Sequence, residues 1–440
     1  MIRLFSVLLV ALAGIASGQD EVAAVSNSAP VNKPGPAVVG TKMKSPPVSE
    51  IVRIDPANAF FLDTMGQLGV ARFTPELDLI GWEYYSLFQW QEARHIVVGR
   101  NLSIVSGSPN ELTQAFDTDK DGRLDFFQDM ISEWPGKAEG ATISCGPVAD
   151  QYGRLLFAVA PREGAGEGAS VSTLFAWNPG GQTLTSLATS SLPIAEMAVS
   201  KDGLLAAWIQ LPSYTEGYYI SFADLPAFNR KKPDEQPANP PALLPNMIIP
   251  ASMTDFKPIG QLCFAREGGK EKLFITSPEA NRLIEMVPEK VGKDWGGAVS
   301  VRASFDEPIY AVELMDEGKI LLGGKAGFQP LEENLEAFRF RELRFAPDAL
   351  EIDFTRPVDR IRATAEEAGV QLAIIPLEGE LAPFEAPRPL VESDGKTVVL
   401  KLPELPGKAI IKIDAPDLVS EDGDPIVFPS LFYTLNRPKS

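Results

Sequence analysis

Four stretches of this chain share one outline: two apolar runs joined by a short polar turn that carries glycine. Cys145–Ala160 reads CGPVADQYGRLLFAVA and turns at Tyr152-Gly153. Ile194–Ile209 reads IAEMAVSKDGLLAAWI and turns at Asp202-Gly203. Ile259–Ile275 turns at Gly268-Gly269, and Ile309–Leu322 at Glu317-Gly318. Glycine supplies the backbone freedom that tight turns need, so each stretch predicts a β-hairpin. A lone hairpin cannot bury its apolar face. A hairpin that returns about every fifty residues can stack on its copies, and this predicts the blades of a β-propeller. The pattern constrains architecture and names no reaction.

The 440 residues exceed one small core and suffice for a repeat domain with an appendage. Net charge is -19, which repels phosphate backbones and argues against nucleic acid as a partner. Met1–Gly18 carries Arg3, an apolar run Leu4–Ile15 and then Ala16-Ser17-Gly18. That is the pattern of a secretory signal peptide, too short for a membrane span, and it places the mature chain in the periplasm or outside the cell. No later run is long and apolar enough to cross a bilayer, and no cysteine stands at the cleavage region for a lipid anchor. The two cysteines, Cys145 and Cys263, could form a disulfide in that compartment. Two unpaired thiols is the plainer expectation. No Cys-x-x-Cys-His occurs, so this chain attaches no haem c.

Gln19–Glu50 is rich in Pro, Ala, Val, Ser and Lys without periodicity, and reads as a disordered linker. From Ile51 the pattern becomes that of a folded propeller, residues 51–340. Trp82–Val98, interrupted at Gln91–Arg94, reads as a first blade hairpin. Ala160–Ser170 is a glycine-rich loop, and Leu174–Leu187 a strand pair about Asn178-Pro179-Gly180-Gly181. Pro226–Pro245 holds six prolines and reads as an exposed excursion between strands. From Arg341 to Ser440 strand-like runs follow at Leu350–Phe354, Val370–Ile375, Thr397–Leu402, Ala409–Ile413 and Leu431–Leu435. Their alternation between Pro and Gly predicts a small C-terminal β-sandwich.

The sharpest chemical motif is Phe116–Asp129, FDTDKDGRLDFFQD. Asp117, Asp119, Asp121 and Asp125 follow the D-x-D-x-D-G-x-x-D spacing, with Gly122 at the sharp turn. Alternate carboxylates of such a loop converge on one point, as a hard Ca2+ ion requires, and the Arg123 carbonyl would add a ligand. The twelfth loop position is Gln128 rather than Glu, with Asp129 next, which predicts weak affinity. A solvated acidic turn is the plainer alternative. The one histidine, His95, is a possible general base, but no carboxylate or nucleophile can be assigned to it, so a surface or strand-end position is expected. Six tryptophans (Trp82, Trp90, Trp134, Trp177, Trp208, Trp295) could stack on a ligand and are more simply packing between sheets. No nucleophile elbow, P-loop or dinucleotide-binding glycine signature is present.

Taken in order, DTDKDGRLDFFQDM, CGPVADQYGRLLFAVA, FKPIGQLCFAR, NRLIEMVPEKVGKDWGGA, LRFAPDALEIDFTRPVD and FYTLNRP resemble the secreted glucose/sorbosone-dehydrogenase-like β-propeller proteins of the Planctomycetes–Verrucomicrobia type. The resemblance covers about residues 75–440 and implies a six-bladed propeller with a C-terminal sandwich. Five blades can be pointed to, and the N-terminal region would close the sixth. Sugar-oxidising members of the wider superfamily are quinoproteins, with pyrroloquinoline quinone and a histidine base on the propeller face. Here AAWIQLPSYTEGYY replaces the stretch expected after the third hairpin, the expected face histidines are missing, and Trp295-Gly296-Gly297-Ala298 departs from the family's Gln-Gly-Ala. The expectation is therefore a secreted or periplasmic binding or scaffold protein, related to sugar dehydrogenases but catalytically inactive, with a structural Ca2+ loop and a carbohydrate or protein partner. The rival is an active quinone-dependent sugar or alcohol dehydrogenase, for which Arg100, Arg266 and Arg282 would have to supply the cationic pocket. A surface-layer component is a third reading.

Overall fold

The computed structural model describes residues 45–436 except 90–94, 100–102, 122, 162–170, 210–216, 226–239, 245, 251–259, 268, 292–293, 317, 332–336, 347–348, 365–368, 379–388 and 403–407. The expected signal peptide and most of the expected linker lie outside these residues. So does most of the Pro226–Pro245 excursion.

The fold is all-β: a propeller of successive antiparallel sheets followed by a small sandwich. The first sheet is β1 (Val48–Asp55), β2 (Asn58–Asp63), β3 (Gln67–Phe73) and β4 (Leu79–Gln89). The second is β5 (His95–Val98), β6 (Ile104–Ser108), β7 (Glu111–Phe116) and β8 (Phe126–Ile131). The third is β9 (Thr142–Ala149), β10 (Leu155–Ala160), β11 (Ser172–Asn178) and β12 (Thr183–Ser190). The fourth is β13 (Ile194–Val199), β14 (Leu204–Ile209), β15 (Gly217–Asp224) and β16 (Met247–Pro250). The fifth begins with β17 (Leu262–Glu267), β18 (Lys270–Ser277), β19 (Arg282–Val291) and β20 (Asp294–Ser304). The sixth is β21 (Ile309–Asp316), β22 (Lys319–Gly324) and β23 (Gly327–Pro330).

The four hairpins legible in the sequence are β9/β10, β13/β14, β17/β18 and β21/β22. Their turn glycines are needed where they stand: Gly203 has φ 86° and Gly318 φ 74°, a region that costs other residues strain. In the first, third and sixth sheets the second strand is covered on both faces, and it reads accordingly as a near-continuous apolar run. Leu155–Val159, Ala59–Asp63 and Ile320–Gly324 are all buried.

Trp82–Val98 is not one hairpin, contrary to the sequence expectation. Its first half belongs to β4, paired with β3, and its second half is β5, paired with β6. The apolar content of both halves is genuine, but they serve different sheets. β1 also starts at Val48, inside the stretch read as linker.

Two compact units divide the chain. One comprises residues up to Gln210, Ala223–Leu244 and Ala311–Pro330. Within it the sixth, first, second, third and fourth sheets follow one another, with β22 beside β1, β1 beside β5, β5 beside β9 and β9 beside β13. A cluster of Val48, Ile51, Phe61, Phe73, Met315 and Leu321 fills the space between the sixth and first sheets. There the rings of Phe61 and Phe328 meet edge to face at 5.2 Å. The Cβ of any larger residue at Gly323 would lie 2.6 Å from Val48 Cγ1, so the close approach of β22 requires glycine. Ser144 Oγ donates to the Ile194 carbonyl at 2.7 Å and ties the third sheet to the start of the fourth.

The other unit comprises Leu211–Phe222, Pro245–Tyr310 and Leu331–Ser440. Here β20 pairs with β30 (Ser430–Asn436), then β29 (Lys408–Asp414) and β26 (Gln371–Glu378), so the fifth sheet runs on into C-terminal strands as seven. Against it lies a sheet of β24 (Phe340–Ala346), β25 (Ala349–Phe354), β28 (Thr397–Lys401) and β27 (Leu390–Val391). One core, including Leu350, Ile352, Phe354, Ile411, Ile413 and Tyr433, joins the two layers. A short helix, α1 (Arg360–Ala363), is capped by Asp359. On the fifth sheet Glu267, Lys272, Glu285 and Arg302 form a closed ring of ion pairs at 2.9–3.5 Å. No helix among the described residues is long and apolar enough to cross a membrane.

Candidate functional site

The aspartate loop connects β7 to β8 in the second sheet. One carboxylate oxygen from each of Asp117, Asp119 and Asp121 lies within 4.8 Å of the others. The alternate spacing does what the sequence argument requires: Asp119 Oδ1 accepts from the Asp121 N–H at 3.2 Å, and Asp121 Oδ1 accepts from the Arg123 N–H at 2.9 Å. Asp125 does not join them. Its carboxylate accepts from the Thr118 N–H at 2.8 Å and the Thr118 hydroxyl at 2.6 Å, and these bonds hold its pKa below the usual range. The donor set is all-carboxylate oxygen, chemistry that suits Ca2+, with three side chains of the expected four in place. Tyr85, beside this loop, has its hydroxyl pushed up to about 12, first by burial and then by the charges of Asp117 and Asp121.

The second place was not legible in the sequence. His95 opens β5, a strand-end position as expected, but it is buried rather than on the surface, and the structure supplies the carboxylates that the sequence could not. Glu50 of β1 and Glu196 of β13 stand on opposite sides of the ring. Nδ1 is 3.6 Å from Glu50 Oε1, and Nε2 is 3.2 Å from Glu196 Oε2. The Ile96 N–H also donates to Glu50 Oε1, at 3.1 Å. Cys145 of β9 is within hydrogen-bond reach of the imidazole. Next along, Glu313 of β21 accepts from the Arg53 N–H of β1. Consecutive sheets thus bring five titratable side chains together, although Glu50 and Glu196 are 146 positions apart.

Electrostatics follow from that packing. Burial opposes a charge on His95. The Glu196 carboxylate, with hydrogen bonds to Cys145, Glu196 and Glu50, outweighs it and holds the ring's pKa well above 6.5. Burial pushes Glu50 up, against the pull of His95 and the Ile96 N–H, and the Glu196 charge adds to the rise. Burial also raises Glu313 to about 8, over the opposing Arg53 N–H and charge, with Glu50 adding to the rise. An imidazolium with both nitrogens facing carboxylates is a donor at each end.

The remaining expected groups disperse. Arg100 and Trp90 lie outside the described residues. Arg266 sits on β17 and Arg282 on β19. Trp82 packs edge-on to Phe61 at 6.2 Å, and Trp134 donates to the Ala141 carbonyl at 3.1 Å, both as packing residues. No disulfide joins Cys145 to Cys263.

No family model matches the chain, and no curated protein matches it in sequence. Solved structures with similar folds include the quinone-binding domain of pyranose dehydrogenase from Coprinopsis cinerea. It is 9% identical, with 64% of this chain and 92% of that one covered and a TM-score of 0.42. A gluconolactonase from Xanthomonas campestris is 11% identical, with 65% and 86% covered and a TM-score of 0.43. A luciferin-regenerating enzyme is 13% identical, with 71% and 85% covered and a TM-score of 0.42. No residue is carried across from any of them.

Proposed function

We propose that this chain is a secreted or periplasmic propeller that binds or scaffolds, in the sugar-dehydrogenase-like class of folds, without oxidising a sugar itself. What supports this reading is the state of the one histidine. A general base must present an unprotonated nitrogen to the substrate. His95 instead points one nitrogen at Glu50 and the other at Glu196, inside the packing of the first, second and fourth sheets. The residues described therefore do not fit a quinone site that relies on a histidine base, and no step is derived through that cofactor.

The aspartate loop would hold Ca2+ through Asp117, Asp119 and Asp121, with the Arg123 carbonyl as a further donor. Its chemistry there is structural: it neutralises clustered carboxylates and fixes the β7–β8 connection. The partner is a carbohydrate or a protein. The secretory N-terminal pattern of Met1–Gly18 supports the location.

The test is reconstitution with pyrroloquinoline quinone and Ca2+, followed by an electron-acceptor dye across a panel of sugars and alcohols. We expect rates equal to the protein-free control, together with binding on a glycan array or to a protein bait. Turnover above the control, abolished by His95→Gln, would establish the dehydrogenase reading in its place.

A further inference from the structure

The bridge through His95 joins side chains from three different sheets, and its geometry depends on a hydrogen count. Two buried acceptors, Glu50 Oε1 and Glu196 Oε2, face the two ring nitrogens. Each bridge needs one hydrogen between its heavy atoms, and the imidazolium supplies both, to Glu196 at 3.2 Å and as a longer ion pair to Glu50 at 3.6 Å. With two hydrogens both bridges close. With one, a carboxylate oxygen faces a nitrogen lone pair, both of them buried.

We propose that Glu50–His95–Glu196 is a proton-operated latch across the first, second and fourth sheets, closed while the three groups hold two bridging hydrogens and released when one is removed. Among the described residues the surroundings offer no strong substitute donor. Glu50 Oε2 is buried and has no hydrogen-bond partner among the described residues, so this carboxyl has little support besides the ring and the Ile96 N–H. Around the bridge stand Cys145 from β9, a weak donor, and Glu313 from β21, another acid. Arg53, on β1 itself, is a cation that acts on the Glu313 carboxyl. Losing a proton from the bridge therefore takes His95, Glu50 and Glu196 together from one net negative charge to two, between the first strands of three sheets. Those strands separate to admit water. The latch is closed on the acid side and opens on the alkaline side.

The sequence makes the experiment direct, because the chain has a single histidine. In full-length mature protein without a histidine tag, the ring nitrogens of 15N-labelled histidine report His95 alone. Both should be protonated at pH 7. As the ring loses its proton, exchange of the Ile96 amide, corrected for its intrinsic pH dependence, should quicken by about tenfold or more, since the buried bond it donates is released with the latch. In Glu196→Gln the amide can donate to the ring, so the second hydrogen is no longer needed. The ring should then lose its proton at lower pH, and Ile96 exchange should cease to follow it. A ring that is neutral at pH 7 overturns the proposal. So does a ring that titrates without any change in Ile96 exchange, or unaltered coupling in Glu196→Gln.

Discussion

Replacing Glu313 by glutamine should make the protein more stable at neutral pH, by an amount that can be worked out. Glu313 loses its proton near 4.5 when the chain is unfolded and near 8 when folded. Between these values the unfolded chain gives up a proton that the folded chain must hold, so stability falls as pH rises. The contribution is fully present below 4.5 and fully lost above about 8. Each pH unit in that window costs about 1.4 kcal/mol, which amounts to about 3 kcal/mol at pH 7 and about 5 kcal/mol above pH 8. These are upper bounds, because Glu313 as a whole residue is only half-buried and any water that reaches its carboxyl screens the penalty. Glutamine keeps an acceptor for the Arg53 N–H and cannot ionise. The assay is denaturant unfolding of wild type and Glu313→Gln at pH 5, 6, 7 and 8. His95 and Glu50 also tilt both curves, so the difference between them reports Glu313 together with its coupling to Glu50. That difference should be within about 1 kcal/mol at pH 5 and should grow steadily to pH 8. Parallel curves across the window would refute the reasoning, as would a variant less stable than wild type at pH 8.

Other consequences can be checked in the same way. Calorimetric titration with Ca2+ should give heat at millimolar metal, lost in Asp119→Asn with Asp121→Asn, because two of the three converging carboxylates are then gone. Lys272→Ala should cost about 3 kcal/mol in denaturant unfolding, because it leaves Glu267 and Glu285 facing each other with Arg302 alone between them. Gly146→Ala should destabilise by more than about 2 kcal/mol, read as a lowered melting temperature. Gly146 has φ 95°, and an added Cβ would lie 2.7 Å from the Leu156 carbonyl oxygen.

What the sequence made legible was local. Leu155–Val159 and Leu204–Ile209 announce themselves because a strand covered on both faces has no polar residue to hide its period, and a Gly turn precedes each. The first sheet was harder to see. Its opening hairpin turns through Asp55-Pro56-Ala57-Asn58, which has no glycine, and Trp82–Gln89 ran by eye into His95–Val98 across a boundary between sheets. The three converging aspartates were legible because a loop of alternate carboxylates needs no distant partner. Asp125 stands apart from them because Thr118, a residue between the ligands, holds its carboxylate. His95 was judged without its partners, since nothing local can name residues 45 positions before it and 101 after it. A signal was present all the same. Val48-Ser49-Glu50-Ile51, Ile194-Ala195-Glu196-Met197 and Ala311-Val312-Glu313-Leu314 each follow the pattern apolar-x-Glu-apolar on the first strand of a sheet. A charge recurring at one position of a repeat points to a shared line of contact, whatever the distance along the chain.

The pairing of β20 with β30 has a bearing on synthesis. Val299 and Ser300 find their partners in Phe432 and Leu431, more than a hundred residues later in translation. Until those residues leave the ribosome, one edge of the fifth sheet offers bare amides and carbonyls to any passing strand. A message truncated before Ser430 would therefore yield a polypeptide able to form its early hairpins and prone to cross-associate through that margin. Quality control could read completion of this protein from whether that seam has closed.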